Sequence, residues 1–303
     1  MIETAVVPAA GYGSRMEPLT LAIPKEMLPI GHLPIIEHTI IELVSSGIKR
    51  ICIVIREGKE VIREYFNKRK KLYEQVELYF TFQKAPLGLG DAMRKAKDFI
   101  KGTPFVMAIP DQILLSEISA TKQLLDACQR DAGIWNSMVK IPKNEMVFFK
   151  GSRPFKYRKE SGDLCFIEDI STDETSLIRG FGRTVFLPEA LEYMTEEFIN
   201  DKTGEVDFLK TFQALKNSFP LYGIILKGKP CDIGTWEGYY FYQRFILNDL
   251  NSNQRYLKFS QSNPLPLWRL CRKSIHGSTG SPRTDHSSFK INYLAVRPEA
   301  LEG

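Results

Sequence analysis

The chain has 303 residues, of which 43% are hydrophobic and 25% are charged, and these proportions are ordinary for a soluble globular protein. Its length fits one large domain, or one domain with an appendage. No apolar run reaches the roughly 18 residues of a transmembrane helix, and the start, MIETAVVPAAG, lacks the basic region of a signal peptide. The five cysteines are widely spaced without a C-x-x-C pair, which argues against a disulfide framework or a zinc site and makes a reducing cytoplasm the expected compartment.

The net charge of +5 suggests a nucleic-acid partner, but the distribution of that charge argues against one. Residues 251–303 contain eight Lys or Arg and three Asp or Glu, which accounts for the whole excess. The other 250 residues carry 33 basic and 33 acidic side chains. We therefore expect no nucleic-acid or membrane partner, and we interpret the basic, turn-rich segment 251–303 as a C-terminal extension.

Strands and helices alternate through the first part of the chain. The run RICIVI is typical of a strand buried on both faces, and LPIIEHTIIELVSS has apolar residues at helical spacing with Gly47 as a C-cap. The predicted strands are 4–8, 50–55, 76–83 and 104–111, and the predicted helices are 33–46, 59–75 and 89–100. This alternation predicts an α/β fold with a Rossmann-like, doubly wound and mainly parallel sheet.

The pattern is less regular between residues 116 and 250. Strands are predicted at 133–141, 145–150, 164–170, 182–187 and 221–227, and helices at 188–200, 206–218 and, after a turn, within 234–250. The basic segment GSRPFKYRKESGD, residues 151–163, is predicted as a loop.

The segment PAAGYGSRMEPLTLAIPKEML, residues 8–28, follows the first strand directly. Glycines let backbone N–H groups approach an anion closely, and the cations Arg15 and Lys25 would neutralise a polyphosphate. Ligands of open α/β folds bind at the carboxyl edge of the sheet, where such a loop lies. Gly11 and Gly13 are followed by Met16, so the third glycine of a dinucleotide fingerprint is missing, and the P-loop pattern is also absent. By itself, G-x-G suits a plain turn equally well.

The full pattern G-Y-G-S-R-M-x-P-x-T-x-x-x-P-K resembles the signature of sugar-phosphate nucleotidyltransferases, and the continuation IPKEMLPI is similar to bacterial UTP–glucose-1-phosphate uridylyltransferases. In that family, glucose 1-phosphate attacks the α-phosphorus of UTP and pyrophosphate leaves. The resemblance implies the nucleotidyltransferase fold, with Arg15 on the triphosphate and Lys25 near the reacting phosphates. It also implies a nucleotide-binding bed made of Ala9, Ala10, Gly11 and Gly13.

Further segments match the family in the same order along the chain. QKAPLGLGDAM resembles its Q-x-x-x-x-G-L-G segment, which implies that Gln83 pairs with the uracil edge and that Gly88 brings backbone to the base. AIPDQIL and CDIGTWEGY place Asp111 and Asp232 after apolar strands, and the resemblance makes both of them Mg²⁺ ligands. Taken alone, such aspartates are more commonly helix caps or turn formers, and Gly88 would simply end a loop.

The carboxylate pair also has a chemical reason that is independent of the family. Phosphoryl-type transfer depends mostly on positioning and charge neutralisation, and a hard cation takes carboxylate, phosphate and water oxygens as ligands. Two aspartates at adjacent strand ends, facing a basic glycine loop, would supply the protein's share. The cation would then stabilise the charge that develops around the attacked phosphorus.

The match weakens where the sugar would bind. TGEVDFLK resembles an element in which Glu205 accepts hydrogen bonds from sugar hydroxyls, although an exposed carboxylate at a helix start explains it equally well. FIEDIS stands where the family has Glu-Lys-Pro: Glu168 is kept as a sugar-side residue, whereas Asp169 replaces the lysine that grips the sugar phosphate. An acid there would repel a phosphate unless a neighbour offsets it. Segment 151–163 is either a solvated loop or the source of a substitute cation, from Arg153, Lys156, Arg158 or Lys159.

We therefore predict a nucleotidyltransferase domain over residues 1–250, with a nucleotide half at about 1–115 and a small sugar-side half at about 116–250, followed by the 251–303 extension. The first hypothesis is Mg²⁺-dependent uridylyl transfer from UTP to a hexose 1-phosphate, with glucose 1-phosphate as the expected acceptor. One alternative is thymidylyl transfer, because Gln83 suits either base. Others are a different phosphorylated acceptor, or a nucleotide- or sugar-nucleotide-binding regulator without catalysis, which Asp169 favours. A homo-oligomer is a further expectation, because the resembled family commonly forms dimers or tetramers.

Overall fold

The structure is a computed structural model that describes residues 1–85, 87–194 and 208–252, without the side chains of 208–209 and 248–252. Its strands are β1 (Thr4–Pro8), β2 (Pro29–Ile30), β3 (Leu33–Pro34), β4 (Arg50–Ile55), β5 (Glu77–Phe82), β6 (Phe105–Ala108), β7 (Gln112–Leu115), β8 (Ile134–Lys140), β9 (Phe155–Lys159), β10 (Leu164–Ile170), β11 (Ile178–Phe186), β12 (Leu221–Ile225) and β13 (Lys229–Asp232). Its α-helices are α1 (Ile35–Ser45), α2 (Glu60–Lys68), α3 (Gly88–Lys95), α4 (Lys97–Ile100), α5 (Ala120–Ala127), α6 (Phe208–Ser218) and α7 (Trp236–Ser252). Within the described ranges, none of these helices has the length and apolar character needed to cross a bilayer.

A nine-stranded sheet forms the centre of the fold, in the order β5-β4-β1-β6-β11-β8-β12-β10-β9. The first four strands of that order are parallel to one another, and β8 pairs with β12 in parallel. Strand β11 is antiparallel to both of its neighbours, and so is β10. The predicted α/β fold with a large doubly wound sheet is confirmed, and each antiparallel pair of this sheet includes a strand from the later part of the chain.

Alternate side chains of the central strands face two helical layers. Ala5 and Val7 of β1 pack in a cluster with residues of α1, α2 and α5. Val6 points to the opposite face and packs in a cluster with residues of α3, α4 and α6. The two-stranded ribbon β7–β13 and helix α7 build a third cluster. Burial on both faces explains why these strands have continuous apolar sequences.

The strand predicted at 145–150 is wrong, because residues 143–149 form a 3₁₀ helix. The side chains of Glu145 and Phe149 are buried, and Met146 and Phe148 pack against the third cluster. Contacts at positions i, i+1, i+3 and i+4 are the spacing of a helix face rather than of a strand. The backbone N–H of Glu145 donates to Pro142 O at 2.8 Å, which closes the first turn.

The loop predicted over 151–163 is also wrong in its middle, where β9 pairs antiparallel with β10. Phe155 packs in the core cluster of α3, α4 and α6, and Tyr157 packs against it. These two aromatic residues alternate with basic ones, so the segment is a half-buried edge strand. Its charged residues mask that alternation in the sequence, and Gly162, with φ of 60°, helps to turn the chain into β10.

Candidate active site

The glycine loop leaves the sheet at the carboxyl end of β1. Ala9 continues the strand by donating its N–H to Val54 O at 2.8 Å, and its side chain is buried. Gly11 is exposed, and a Cβ placed on it would meet no atom within 4 Å. Gly13 adopts the left-handed conformation, with φ of 77°, and its carbonyl accepts a hydrogen bond from Thr20 Oγ1 at 3.0 Å. The loop therefore has an ordered base and an open crest, as an anion-binding loop requires.

A buried ion pair fixes the base of this loop. Lys59 Nζ donates to Glu26 Oε2 at 2.7 Å and to Ala9 O at 2.8 Å, and both charged side chains are almost fully buried. Burial lowers the pKa of Lys59 from its ordinary value, although the charge of Glu26 opposes that change. Lys59 thus links Ala9 in the loop to Glu26 in segment 25–27. Because an unpaired charge is costly when buried, the pair keeps these two segments together.

Four of the predicted site residues converge near Gly234. A Cβ placed on Gly234 would lie 2.7 Å from Asp111 Oδ2, 3.3 Å from Asp232 Oδ1 and 3.4 Å from Arg15 Nη2. The two carboxylate oxygens are thus at most 6.0 Å apart. Lys25 Nζ donates to Asp111 Oδ2 at 2.6 Å. The structure therefore brings two carboxylates and two cations together beside the glycine loop.

The ribbon β7–β13 is what places the two aspartates together. Asp232 ends β13 opposite Gln112, and Ile233 N donates to Asp111 O at 2.9 Å. Gln112 Nε2 donates to Asp232 Oδ2 at 3.0 Å, and Gly234 N donates to Asp232 Oδ1 at 3.0 Å. The carboxylate of Asp232 is therefore held by one hydrogen bond on each oxygen.

The pKa values of the two carboxylates are shifted in opposite directions. Burial acts to raise the pKa of Asp111, but Lys25 and then Arg15 outweigh it, so that pKa lies below its ordinary value. Burial and the neighbouring charge of Asp111 raise the pKa of Asp232 to about 6. Burial opposes protonation of Lys25, yet Asp111 raises its pKa above the ordinary value. An added cation would consequently stabilise the ionised form of Asp232 more than that of Asp111.

The donor set suits a hard divalent cation that is shared with a phosphate ligand. Two carboxylate oxygens border one small space, which a Cβ on Gly234 would fill. In the ranges that the structure describes, no three His, Cys, Asp or Glu residues cluster as a complete protein metal site. Mg²⁺ typically takes one or two carboxylates and completes its octahedron with substrate phosphates and water, so these residues fit that ion.

A cavity of about 370 Å³ lies next to this centre. Gln112, which contacts Asp232, forms part of its wall, and Gly88 lines another part. Gly88 begins α3 with φ of 89°. Strands β8 and β11 supply further wall residues, including Asn136, Gly180 and Gly182.

Gln83 is buried against the first turn of α3. Its Nε2 donates to Asp91 Oδ2 at 2.8 Å and to Gly88 O at 3.2 Å. The amide is thereby oriented by the protein, and it adjoins the Gly88 segment that lines the cavity. Pairing of Gln83 with a base remains a prediction.

The sugar-side residues are not drawn into the same cluster. Glu168 Oε2 lies 3.7 Å from Lys156 Nζ on the neighbouring strand. Asp169 accepts hydrogen bonds from Lys216 Nζ at 2.7 Å and from Gln213 Nε2 at 2.9 Å. Neither acid is among the residues that line the cavity, and Glu205 lies outside the described residues.

Arg183 is a residue of the site region that the sequence does not reveal. Its guanidinium is fully buried and forms two hydrogen bonds to Glu42, at 3.0 Å and 2.9 Å. It also donates to Ile109 O at 2.8 Å and to Gln112 O at 3.1 Å. These bonds clamp the turn that carries Asp111. Residues 182–187 were predicted as a strand, and the arginine that interrupts this apolar run is the signal that would have pointed to a buried partner.

Comparisons with known proteins agree with this geometry. Residues 4–151 match the sequence profile described as "Nucleotidyl transferase". A Bacillus subtilis (strain 168) protein named "Putative UTP--glucose-1-phosphate uridylyltransferase" is 30% identical over 261 residues, which cover 79% of this chain and 94% of that protein. Another protein of the same strain, named "UTP--glucose-1-phosphate uridylyltransferase", is 28% identical over 263 residues, covering 78% of this chain and 88% of that protein.

A solved structure of UDP-glucose pyrophosphorylase in complex with UDP-glucose superposes with a TM-score of 0.73 at 25% identity, covering 82% of this chain and 99% of that one. The chain belongs to the nucleotidyl transferase family. Within that family it is a sugar-phosphate nucleotidyltransferase, an enzyme similar to the UTP–glucose-1-phosphate uridylyltransferases.

Proposed function

We propose that this enzyme forms a UDP-sugar and pyrophosphate from UTP and a hexose 1-phosphate, with glucose 1-phosphate as the expected acceptor. The observation that carries the proposal is the convergence of Asp111, Asp232, Arg15 and Lys25 beside the glycine loop. The names of the similar proteins support the choice of nucleotide and acceptor.

The reaction is a direct displacement at phosphorus. An oxygen of the acceptor's phosphate forms a bond to the α-phosphorus of UTP, and the bond from that phosphorus to the oxygen bridging to the β-phosphate breaks. The bridging oxygen keeps the electron pair and leaves as part of pyrophosphate. No protein nucleophile is required, so the enzyme contributes positioning and charge neutralisation.

Each residue of the centre has a role in that displacement. The open crest around Gly11 offers backbone N–H groups to the triphosphate. Arg15 neutralises the triphosphate, and Lys25 lies near the reacting phosphates. Asp111 and Asp232 would hold Mg²⁺, which supplies charge stabilisation at the phosphate oxygens when it is bound.

The acceptor is placed in the cavity beside Gln112. A volume of about 370 Å³ falls within the usual range of small-ligand pockets, and its wall is continuous with the proposed metal centre through Gln112 and Asp232. An acceptor seated there would present its phosphate to the nucleotide held by the loop.

The alternative of a regulator without catalysis rests on Asp169, where the resembled family has a lysine. In the structure, Lys216 and Gln213 bind that carboxylate, and the bond from Lys216 is the main cause that lowers its pKa. The negative charge of Asp169 is therefore offset by a neighbouring cation, which reduces the repulsion that motivated this alternative.

Pyrophosphate release tests the proposed function. The purified enzyme is assayed with Mg²⁺ and either UTP or dTTP, across a panel of sugar 1-phosphates that includes glucose 1-phosphate. We expect turnover with UTP and glucose 1-phosphate, and a loss of orders of magnitude in Asp111→Asn and Asp232→Asn with the fold intact. A preference for dTTP would support the thymidylyltransferase, and UTP binding without turnover on any acceptor would support the regulator.

A further inference from the structure

Three consecutive residues lead from the metal centre to the cavity. A Cβ placed on Gly151 would lie 3.1 Å from Arg15 Nη1. Ser152 Oγ lies 3.1 Å from Gln112 Nε2, the same group that binds Asp232. Arg153 follows and lines the cavity. The segment thus begins at the phosphate-binding cations and ends in the proposed acceptor pocket.

The backbone of this segment is fixed on both sides. Gly180 N donates to Arg153 O at 2.8 Å, and Arg179 Nη1 donates to Ser152 O at 2.8 Å. The next residue, Pro154, forms a β-bridge with Arg179. The main chain of Arg153 is therefore held in place by its neighbours, while its side chain is exposed.

Arg153 is the charged side chain among the described residues that line the cavity. Neighbouring cations are engaged elsewhere, since Lys156 faces Glu168 at 3.7 Å and Lys216 binds Asp169 at 2.7 Å. Within the described part of the chain, Arg153 forms no ion pair. The described residues that line the cavity therefore carry one charged side chain, that of Arg153.

We propose that Arg153 binds the phosphate of the acceptor. The inference rests on the proposed function, because it takes the cavity as the acceptor pocket. The planar guanidinium can donate two parallel hydrogen bonds to phosphate oxygens. Bound in this way, the acceptor's phosphate is anchored by the residue next to Ser152, whose Oγ accepts a hydrogen bond from the Gln112 amide that also binds Asp232.

Equilibrium binding tests this assignment without requiring turnover. Glucose 1-phosphate, inorganic phosphate and uncharged methyl glucoside are titrated calorimetrically into the wild type, Arg153→Gln, Arg153→Lys and Arg158→Gln. Arg158 is the matched control, because it lies on β9, the strand that follows Arg153, faces Glu160 at 3.9 Å and does not line the cavity. We expect glucose 1-phosphate to bind Arg153→Gln about 10- to 100-fold more weakly than the wild type, as loss of charged hydrogen bonds implies.

The other variants sharpen the result. Arg153→Lys should recover part of the affinity, because it keeps the charge but not the fork. Arg158→Gln should stay within about twofold of the wild type, since exposed ion pairs contribute little, and methyl glucoside should not distinguish the four proteins. Equal affinity of wild type and Arg153→Gln for glucose 1-phosphate, or no binding of either phosphate by the wild type, would overturn the assignment.

Turnover separates this inference from the proposed function. If the wild type releases pyrophosphate with glucose 1-phosphate and Arg153→Gln has an unchanged KM for it, the function stands and the assignment of Arg153 fails. If phosphate binding depends on Arg153 but no sugar 1-phosphate gives turnover, the assignment stands and the proposed function fails. In a competent enzyme, we expect the KM for glucose 1-phosphate to rise in Arg153→Gln while the KM for UTP stays unchanged.

Discussion

Gly234→Ala is the substitution that probes the proposed metal centre most selectively. Gly234 has a backbone that lies outside the left-handed region, so alanine introduces no strain in the main chain. Its Cβ, however, would lie 2.7 Å from Asp111 Oδ2 and 3.3 Å from Asp232 Oδ1. The methyl group would occupy the space that the two carboxylates share.

The size of the effect follows from these distances. Asp111 Oδ2 must recede by about 0.7 Å to reach the 3.4 Å of ordinary van der Waals contact, and it is held at 2.6 Å by Lys25 Nζ. Because a misplacement near 1 Å at a reacting centre costs about 100-fold in rate, we expect kcat to fall by roughly 10- to 100-fold. Local crowding should lower the free energy of unfolding by only about 1–3 kcal/mol.

The assay compares kcat and the Mg²⁺ concentration for half-maximal activity in the wild type and Gly234→Ala, with urea unfolding as a measure of the fold. Gly238→Ala provides a contrast in stability, because its Cβ would lie 2.2 Å from the backbone oxygen of Asp232, so it should lower the free energy of unfolding more than Gly234→Ala does. Activity of Gly234→Ala within twofold of the wild type, with an unchanged Mg²⁺ requirement, would refute the placement of the metal between the two carboxylates.

Four further changes have defined outcomes. Glu26→Ala should lower the free energy of unfolding in urea by about 3–5 kcal/mol, because it leaves the buried Lys59 ammonium without its partner; a loss below 1 kcal/mol would contradict this role. Burial lowers the pKa of His38 to about 4, so as pH falls from about 6.5 to 4 the unfolded chain takes up a proton that the folded one refuses, and stability should drop by roughly 3 kcal/mol. Urea titrations across that range should show that the free energy of unfolding depends less steeply on pH in His38→Gln than in the wild type. An equal pH dependence in the two proteins would contradict this prediction. Gly11→Ala should keep the melting temperature, since its Cβ meets no atom within 4 Å, but should raise the KM for UTP; an unchanged KM would take the loop crest out of the nucleotide bed. Gln112→Leu removes a hydrogen bond that lowers the pKa of Asp232, so the acidic limb of the pH–rate profile should move to higher pH. An unchanged acidic limb would show that this hydrogen bond does not influence the ionisation on which the rate depends.

The sequence was most informative where contacts are local. Apolar runs and helical spacing identified β1, β4, β5 and β6 with their helices, because a parallel sheet buried on both faces has a strong signal. The strand predicted at 145–150 is wrong because an apolar run of that length suits a strand or a helical turn. Strand β9 was missed because its outward basic residues outweighed its two core-facing aromatic residues.

In the candidate site, too, the sequence predicts residues of a contiguous motif but not contacts between distant segments. The glycine loop, Arg15 and Lys25 lie within one short segment, so a contiguous motif was enough to find them. Gln112 and Asp232 are 120 residues apart, and only the register of the ribbon joins them. The Arg183–Glu42 pair spans 141 residues, and neither residue has a local pattern that names its partner.

The proposed mechanism requires one divalent cation, held by Asp111 and Asp232, to lie on the polyphosphate that the glycine loop binds. A crystal structure of the enzyme with UTP and Mn²⁺, measured at a wavelength where manganese scatters anomalously, tests it directly. We expect an anomalous peak within coordination distance, about 2.0–2.3 Å, of a carboxylate oxygen from each aspartate and of a UTP phosphate oxygen. A UTP molecule bound with its phosphates away from residues 9–15, or a manganese peak that contacts neither aspartate, would contradict it.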